Sequence, residues 1–267
     1  MPKIEPIYIF SECNFAFQLR WGLTIFWQKS IHEKHWFTSL AEQLEPLGIR
    51  ILSWRWKRAN VSQFAVSTPP QISPAVVVRQ IRNFLQRAIQ DISPQALRSR
   101  YSIRSYGTQE RKIIEAYVAK QPVHHPVAST TTQELFESLV IENKSVDLSR
   151  AKHAQGGIYW YNLHLALVHF ERWRCANREL LIATQDVMVG TCAKKGWQLS
   201  RLAIVPDHFH LAIGCSLDES PSDVVLSLMN NIAWVHGMKP VLCHSAFMGT
   251  FGEYDQRSVV GRQRGEF

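Results

Sequence analysis

The sequence predicts an α+β protein made of two tandem ferredoxin-like units, each with elements in the order βαββαβ, packed together as a pseudo-dimer. Two observations carry this expectation. First, the chain repeats itself. Residues 204–213 read Ile-Val-Pro-Asp-His-Phe-His-Leu-Ala-Ile, and ten residues after His210 comes Ser220-Pro221-Ser-Asp-Val224-Val225. Earlier by 147 residues, Asn60-Val61-Ser62-Gln63-Phe64-Ala65-Val66 is followed, ten residues after Gln63, by Ser73-Pro74-Ala-Val-Val77-Val78. Apolar pattern and spacing survive while both histidines are gone, as expected of an internal duplication. Second, strand-like and helix-like periodicities alternate in the same order in both copies. With 267 residues and 46% hydrophobic content, the chain can bury two cores of ordinary domain size.

In the first copy the predicted elements are a strand from Phe17 to Ile25, a helix from Trp36 to Leu44, strands from Ile49 to Lys57 and Gln63 to Thr68, a helix from Val76 to Ile89, and a strand from Tyr101 to Tyr106. A further helix from Gln109 to Lys120 closes this copy. In the second, Tyr161-Asn-Leu-His-Leu-Ala-Leu-Val alternates as a strand, Arg178 to Cys192 is helical, and Leu199 to Val205 turns at Pro206-Asp207 into a strand from Phe209 to Gly214. Ser220 followed by Pro221 is a good N-cap and first-turn pair for a helix carrying Val224, Val225, Leu228 and Ile232 on one face. Ala246 to Phe251 gives the last strand. A βαββαβ unit packs two helices on one face of a four-stranded antiparallel sheet and leaves the other face free. The chain thus divides into residues 1–121, a linker over 122–157 with one helix around Glu134 to Ile141, and residues 158–267.

Charge is placed unevenly. Residues 1–121 carry 17 Lys and Arg against 8 Asp and Glu, whereas residues 158–267 carry 10 of each, so the net charge of +8 rests on the first copy. The clusters around Arg55, Lys57 and Arg58, around Arg79 and Arg82, and around Arg104 mix cations with Trp and Tyr. That composition suits phosphate contacts and base stacking, or simply a solvated basic face. Five cysteines, at 13, 175, 192, 215 and 243, show no CxxC spacing, which disfavours a disulfide framework or a cysteine zinc site. No run of about 18 apolar residues and no basic-then-apolar leader occurs, so neither a membrane span nor export is expected. A reducing cytoplasm is the expected compartment, at the nucleoid if the partner is DNA.

His208 and His210 are the first candidates for chemistry. Side chains alternate along a strand, so both stand with Ala212 and Gly214 on the free face, where the small residues leave room for a substrate, while Phe209, Leu211 and Ile213 point into the core. They read either as surface imidazoles or as two ligands of a divalent cation, Mg²⁺ or Mn²⁺, that needs a third. Tyr117 and Gln121, four residues apart on the helix expected there, would share a face and approach one metal-bound phosphate together. By periodicity alone, Tyr117 could equally be a core residue beside a stripe of Ile113, Ile114 and Val118. The downstream repeat is complementary: Ser105-Tyr106-Gly107 leads to Tyr117, while Thr250-Phe251-Gly252 leads to Arg262 at the same position. Histidine pair and tyrosine therefore survive on opposite copies.

At these residues the chain resembles the HUH nucleases, in particular the single-tyrosine transposases of simple insertion sequences and their REP-associated relatives. The strand motif stands as Val205-Pro206-Asp207-His208-Phe209-His210-Leu211, the helix start as Ser220 to Val225, and the ending as Ser105-Tyr106-Gly107 to Tyr117-Val-Ala-Lys-Gln121. The resemblance implies a single-stranded DNA endonuclease and strand-transferase acting on hairpin-forming element ends. His208, His210 and Gln121 would hold the cation and Tyr117 would form a 5′-phosphotyrosine link. Where the family's dimers have two sites, Val61, Gln63 and Arg262 leave this fused pair one composite site, alone or in a further homodimer. Two other readings are a replication-initiator or relaxase-like nickase, since Tyr117-Val-Ala-Lys120 also fits Tyr-x-x-Lys, and a non-catalytic nucleic-acid-binding module of the kind that binds RNA on a four-stranded sheet.

Overall fold

The structure is a computed structural model that describes residues 5–28, 36–91 and 93–256. Arg262 lies outside the described residues. In chain order, the first copy comprises β1 (Asn14–Gln18), β2 (Arg20–Trp27), α1 (Trp36–Leu44), β3 (Arg50–Arg58), β4 (Val61–Ser67), α2 (Pro74–Ala88), β5 (Leu97–Ser105) and α3 (Arg111–Ala119). Then come α4 (Gln121–His124), α5 (Thr130–Ser138), β6 (Ile141–Glu142), β7 (Lys152–Ala154) and β8 (Gly157–Trp160). The second copy continues as β9 (Asn162–His169), α6 (Arg178–Lys195), β10 (Gln198–Val205), β11 (His208–Gly214), α7 (Pro221–Val235) and β12 (Leu242–Phe251).

Two six-stranded sheets result, in the orders β3-β4-β2-β5-β8-β7 and β1-β12-β9-β11-β10-β6. Each contains the predicted four-stranded antiparallel unit, β3-β4-β2-β5 or β12-β9-β11-β10, and the predicted βαββαβ order holds in both copies. Ser73 and Ser220 cap α2 and α7 as their sequences imply, each side chain accepting from the amide three residues on.

The copies are joined by exchange. The strand expected from Phe17 to Ile25 breaks at Leu19, so that β1 pairs in parallel with β12 of the second copy while β2 stays in its own sheet. Reciprocally, β8 pairs in parallel with β5 of the first copy while β9 stays at home. Hydrogen bonds repeat the reciprocity of the strand exchange, which relates the copies by a pseudo-two-fold axis. Ala75 N–H donates to Leu217 O and Ser222 N–H to Pro70 O, both pairs related by the 147-residue repeat. Edge-to-face packing of Trp21 on Tyr161, with ring centroids 5.0 Å apart, carries the buried apolar network across the joint, so the two expected cores form one continuous cluster.

Residues 122–157 are not the open linker that their composition suggests. The helix falls at Thr130–Ser138 rather than around Glu134 to Ile141, β6 pairs with the outer edge of β10, and β7 pairs with β8. These short strands end both sheets, which limits pairing with other chains at edges that would otherwise be open. Among the described residues no helix is long and apolar enough to cross a membrane, and all five cysteines are free.

Candidate active site

Strand β11 sits between β10 and β9 and presents His208 and His210 on the face opposite its core residues Phe209, Leu211 and Ile213. Each imidazole is engaged through Nδ1. His208 Nδ1 lies 2.7 Å from Asp207 Oδ1, and Arg172 holds the other carboxylate oxygen at 3.2 Å. His210 Nδ1 lies 3.0 Å from Nε2 of His164, a residue of β9, whose ring stacks on that of His210 with centroids 5.2 Å apart. Contacts of this kind orient the rings, and with Nδ1–H donating to Asp207 and to His164, Nε2 of His208 and of His210 would be available to a cation.

Helix α3 leaves its own copy and lies across β10 and β11. Val118 packs there with Ala203, Ala212, Leu148 and Phe251, and Ser200 donates to the buried carboxylate of Glu115, which also pairs with Arg111 at 2.8 Å. The small residues therefore admit a helix and not a substrate, correcting the expectation for Ala212. Gly214 is likewise filled, since a Cβ there would meet Leu148 at 2.8 Å. The docking brings Tyr117 of the first copy beside the histidines of the second. Its ring centroid is 5.5 Å from His210 and 5.7 Å from His164, edge-on to both, and it stays 42% exposed.

The expected continuous helix through Gln121 is broken. α3 ends at Ala119, and Gln121 opens α4, because Pro122 has no N–H to give to the preceding turn. The break bends His124 back to stack on Tyr117 at 6.1 Å and sets His125 against His208 at 4.7 Å. Gln121 is fully buried. Its Nε2 donates to Tyr117 O at 3.2 Å, and its Oε1 has no hydrogen-bond partner. Among the described residues no three His, Cys, Asp or Glu side chains converge as a metal cage. A cation held by the Nε2 atoms of His208 and His210 would need a donor of another type, and an orphaned buried amide oxygen fits that need.

Burial keeps these imidazoles neutral and therefore able to ligate. It holds His210 far below the ordinary histidine range, with the neighbouring His164, His208 and His125 adding to the effect, and it pushes His164 down to about 4. It also lowers His208, against the opposing pull of Asp207. The unfolded chain would take up protons near pH 6.5, which the folded site refuses, so stability is present above that pH and is lost as pH falls toward the folded values. In EDTA, the melting temperature is expected to fall between pH 6.5 and 4, with His164 alone costing on the order of 3 kcal/mol at the lower limit. Differential scanning calorimetry of wild type and His164→Asn checks this, the variant losing part of the acid dependence; a flat profile in both would contradict it.

The six basic residues do not share one surface. Register places Arg55, Arg58 and Arg104 on the face of the first sheet opposite α1 and α2, with the exposed Lys57 on the same strand as Arg55. Arg79 and Arg82 lie on α2, on the opposite side, where Arg82 is tied to Ser99 O and covers the Tyr101 ring. Of the residues that sequence reasoning passed over, His164 had a legible signal: it alternates with Leu163 and Leu165, and so shares the open face. His124 and His125 had none.

Residues 158–237 match the family model described as "Transposase IS200 like". No curated protein matches the chain. Among solved structures, the chain is similar to a Deinococcus radiodurans R1 protein assigned as a transposase, with 20% identity over 42% of this chain and 93% of that one at a TM-score of 0.35. It is also similar to a REP-associated tyrosine transposase bound to a REP hairpin, with 7% identity over 38% and 61% of the two chains at 0.31. A third likeness, to an unknown protein from Galdieria sulphuraria, has 11% identity over 87% and 97% at 0.22. Pro206-Asp207-His208-Phe209-His210 and Ser220-Pro221 lie inside the matched segment, so it is the half of the chain carrying the histidine strand that is similar to the IS200-like transposases.

Proposed function

We propose that this chain is a single-stranded DNA endonuclease and strand-transferase with one active site assembled from both copies: Tyr117 from the first, His208 and His210 from the second, and Gln121 beside them. The observation that carries the reading is the crossing of α3, which sets the Tyr117 ring against His210 and His164 on the other copy's sheet. In the proposed reaction the Tyr117 oxygen attacks phosphorus and its proton passes to solvent. The P–O3′ bond breaks, the 3′ oxygen takes up a proton, and a 5′-phosphotyrosine ester is left whose energy is kept for rejoining to another 3′-hydroxyl. His208, His210 and Gln121 are the residues that would hold Mg²⁺ or Mn²⁺; when bound, the cation supplies charge neutralisation at the scissile phosphate. Asp207 and His164 act as positioning residues through Nδ1 of the two ligands. Hairpin-forming element ends are the proposed substrates.

The test is incubation of the full chain with end-labelled single-stranded DNA from its genomic flanks. A denaturant-stable protein–DNA adduct with Mg²⁺ or Mn²⁺, and none in EDTA, is expected; full activity in EDTA, or no adduct on any such substrate, would overturn the reading. Gln121→Ala separates a ligand from a packing residue. Cleavage should fall about ten- to a hundredfold and recover partly in excess Mn²⁺. Stability should fall by about 1–3 kcal/mol, since truncating a fully buried side chain leaves a cavity and removes one hydrogen bond. A variant that is unstable but fully active would assign Gln121 to structure.

A further inference from the structure

The face of the first sheet opposite α1 and α2, which no helix covers among the described residues, carries a different set of charges at the positions where the second sheet carries its histidines. Aligning the two sheets by strand register, with Gln63 in the place of His210, puts Val61 at His208, Gly22 at His164 and Thr24 at Ala166. On the flanking strands, Arg55 pairs with Gln63 where Ala203 pairs with His210, and Arg58 pairs with Val61 where Val205 pairs with His208. Arg104 pairs with Gly22 where Gly249 pairs with His164. Two imidazoles bound for a cation are lost, and three guanidiniums stand around the same spot in place of small or apolar residues.

These guanidiniums are positioned. Nε and Nη2 of Arg55 donate to Gln63 Oε1 at 3.4 and 3.1 Å, and Gln63 Nε2 donates in turn to Thr24 Oγ1 at 3.4 Å, so the former histidine position holds the arginine over the sheet. Three of the five Arg55 N–H groups remain outside this network. Arg104 lies 4.4 Å from the Trp160 ring centroid and 5.7 Å from that of the half-exposed Tyr254, while Gly22 opposite it leaves room for its stem. Arg58 is exposed. Among the described residues no carboxylate lies within ion-pair distance of any of the three. Arg55 and Arg104 are three strand spacings apart, about 14 Å, so they would meet different phosphates of one strand. Guanidinium needs no metal to bind a phosphodiester and supplies no nucleophile to cut it.

We infer that this face is a metal-independent binding site for the phosphodiester backbone of single-stranded DNA, in which Arg55, Arg58 and Arg104 replace the divalent cation of the duplicated site and hold a segment that is not cut. The choice of DNA as occupant rests on the function proposed above. The fold would then use its two equivalent faces differently, one to break a strand and one to retain it.

Binding of a fluorescent oligothymidylate to the full chain, measured by anisotropy in EDTA across a salt series, tests this. Wild type should bind in EDTA. Arg55→Gln with Arg104→Gln should bind about ten- to a hundredfold more weakly, with the slope of log K against log salt reduced by about 1.4, as expected for two lost phosphate contacts on a single strand. Arg58→Gln, an exposed change that cannot disturb the core, should reduce the slope by about 0.7. Arg178→Gln with Lys194→Gln, on exposed positions of α6, removes the same charge from the other copy and should leave slope and affinity near wild type. Absence of binding in EDTA, or equal losses in the α6 control, overturns the inference whether or not the Tyr117 adduct forms. EDTA-resistant binding that needs Arg55 and Arg104, without any adduct, would leave this site standing and sink the proposed cleavage.

Discussion

Tyr117→Phe is expected to abolish covalent attachment to single-stranded DNA, a loss on the order of 10⁴-fold or more, as removal of a nucleophile generally gives. Binding should stay within about twofold of wild type. The substitution removes one oxygen from a half-exposed side chain and keeps the ring, and so keeps its edge contacts with His210 and His164. Adduct yield on denaturing gels, read beside anisotropy titration, separates the two quantities. An undiminished adduct would move the nucleophile elsewhere, and the structure orders the candidates. Tyr106 is buried with its hydroxyl pushed up to about 12 by desolvation, and Tyr101 is buried under Arg82. Tyr254 is half exposed and stands beside Arg104 on the histidine-free face, so an adduct there would mean that the two faces have exchanged the roles argued for them.

The order of elements and the faces of the histidine strand were legible because they depend on local period. Alternation puts Phe209, Leu211 and Ile213 inward, and Ser-Pro starts a helix wherever it stands before an apolar stripe. Partner choice was not legible. Residues on both sides of Leu19 are extended, and nothing local says that Asn14–Gln18 will join β12 of the other copy while Arg20–Trp27 remains with β4 and β5. β6 and β7, with two and three residues, are too short to carry a period at all. Tyr117 and Gln121 suggested one helical face, yet Pro122 ends that helix first, and it is the break that returns His124 and His125 to the site. The placement of the basic clusters was not legible for another reason: composition counts charges without saying on which side of a sheet they fall, and α2 carries Arg79 and Arg82 away from Arg55 and Arg104.

Gly107→Ala and Gly252→Ala are each expected to destabilise the protein by about 3 kcal/mol or more, lowering the melting temperature by roughly 6–12 °C. These glycines end Ser105-Tyr106-Gly107 and Thr250-Phe251-Gly252, the repeated segments that lead to Tyr117 in the first copy and to Arg262 in the second. They meet at the pseudo-two-fold axis. Ser105 Oγ donates to Phe251 O and Thr250 Oγ1 to Tyr106 O, both at 2.7 Å, while the two hydroxyl oxygens accept from Asn162 and Arg20 amides at 2.9 Å. A Cβ on Gly107 would be driven into the carbonyl oxygen of Thr250, and one on Gly252 into that of Ser105. The obstacle is backbone on both sides, which no rotamer change relieves. Gly190, inside α6 with nothing within 4 Å of an added Cβ, is the control, and its change to Ala should stabilise by up to about 1 kcal/mol through helix propensity. Thermal melts of the three variants decide the matter. Equal, large losses at Gly107 and Gly252 would mean that a glycine read from the sequence as a nuclease signature serves the joint between copies, since only Gly107 leads to the tyrosine. A Gly107→Ala protein that melts with wild type would show that the copies can separate there, and that the crossing of α3 does not depend on the contact which now fixes its start.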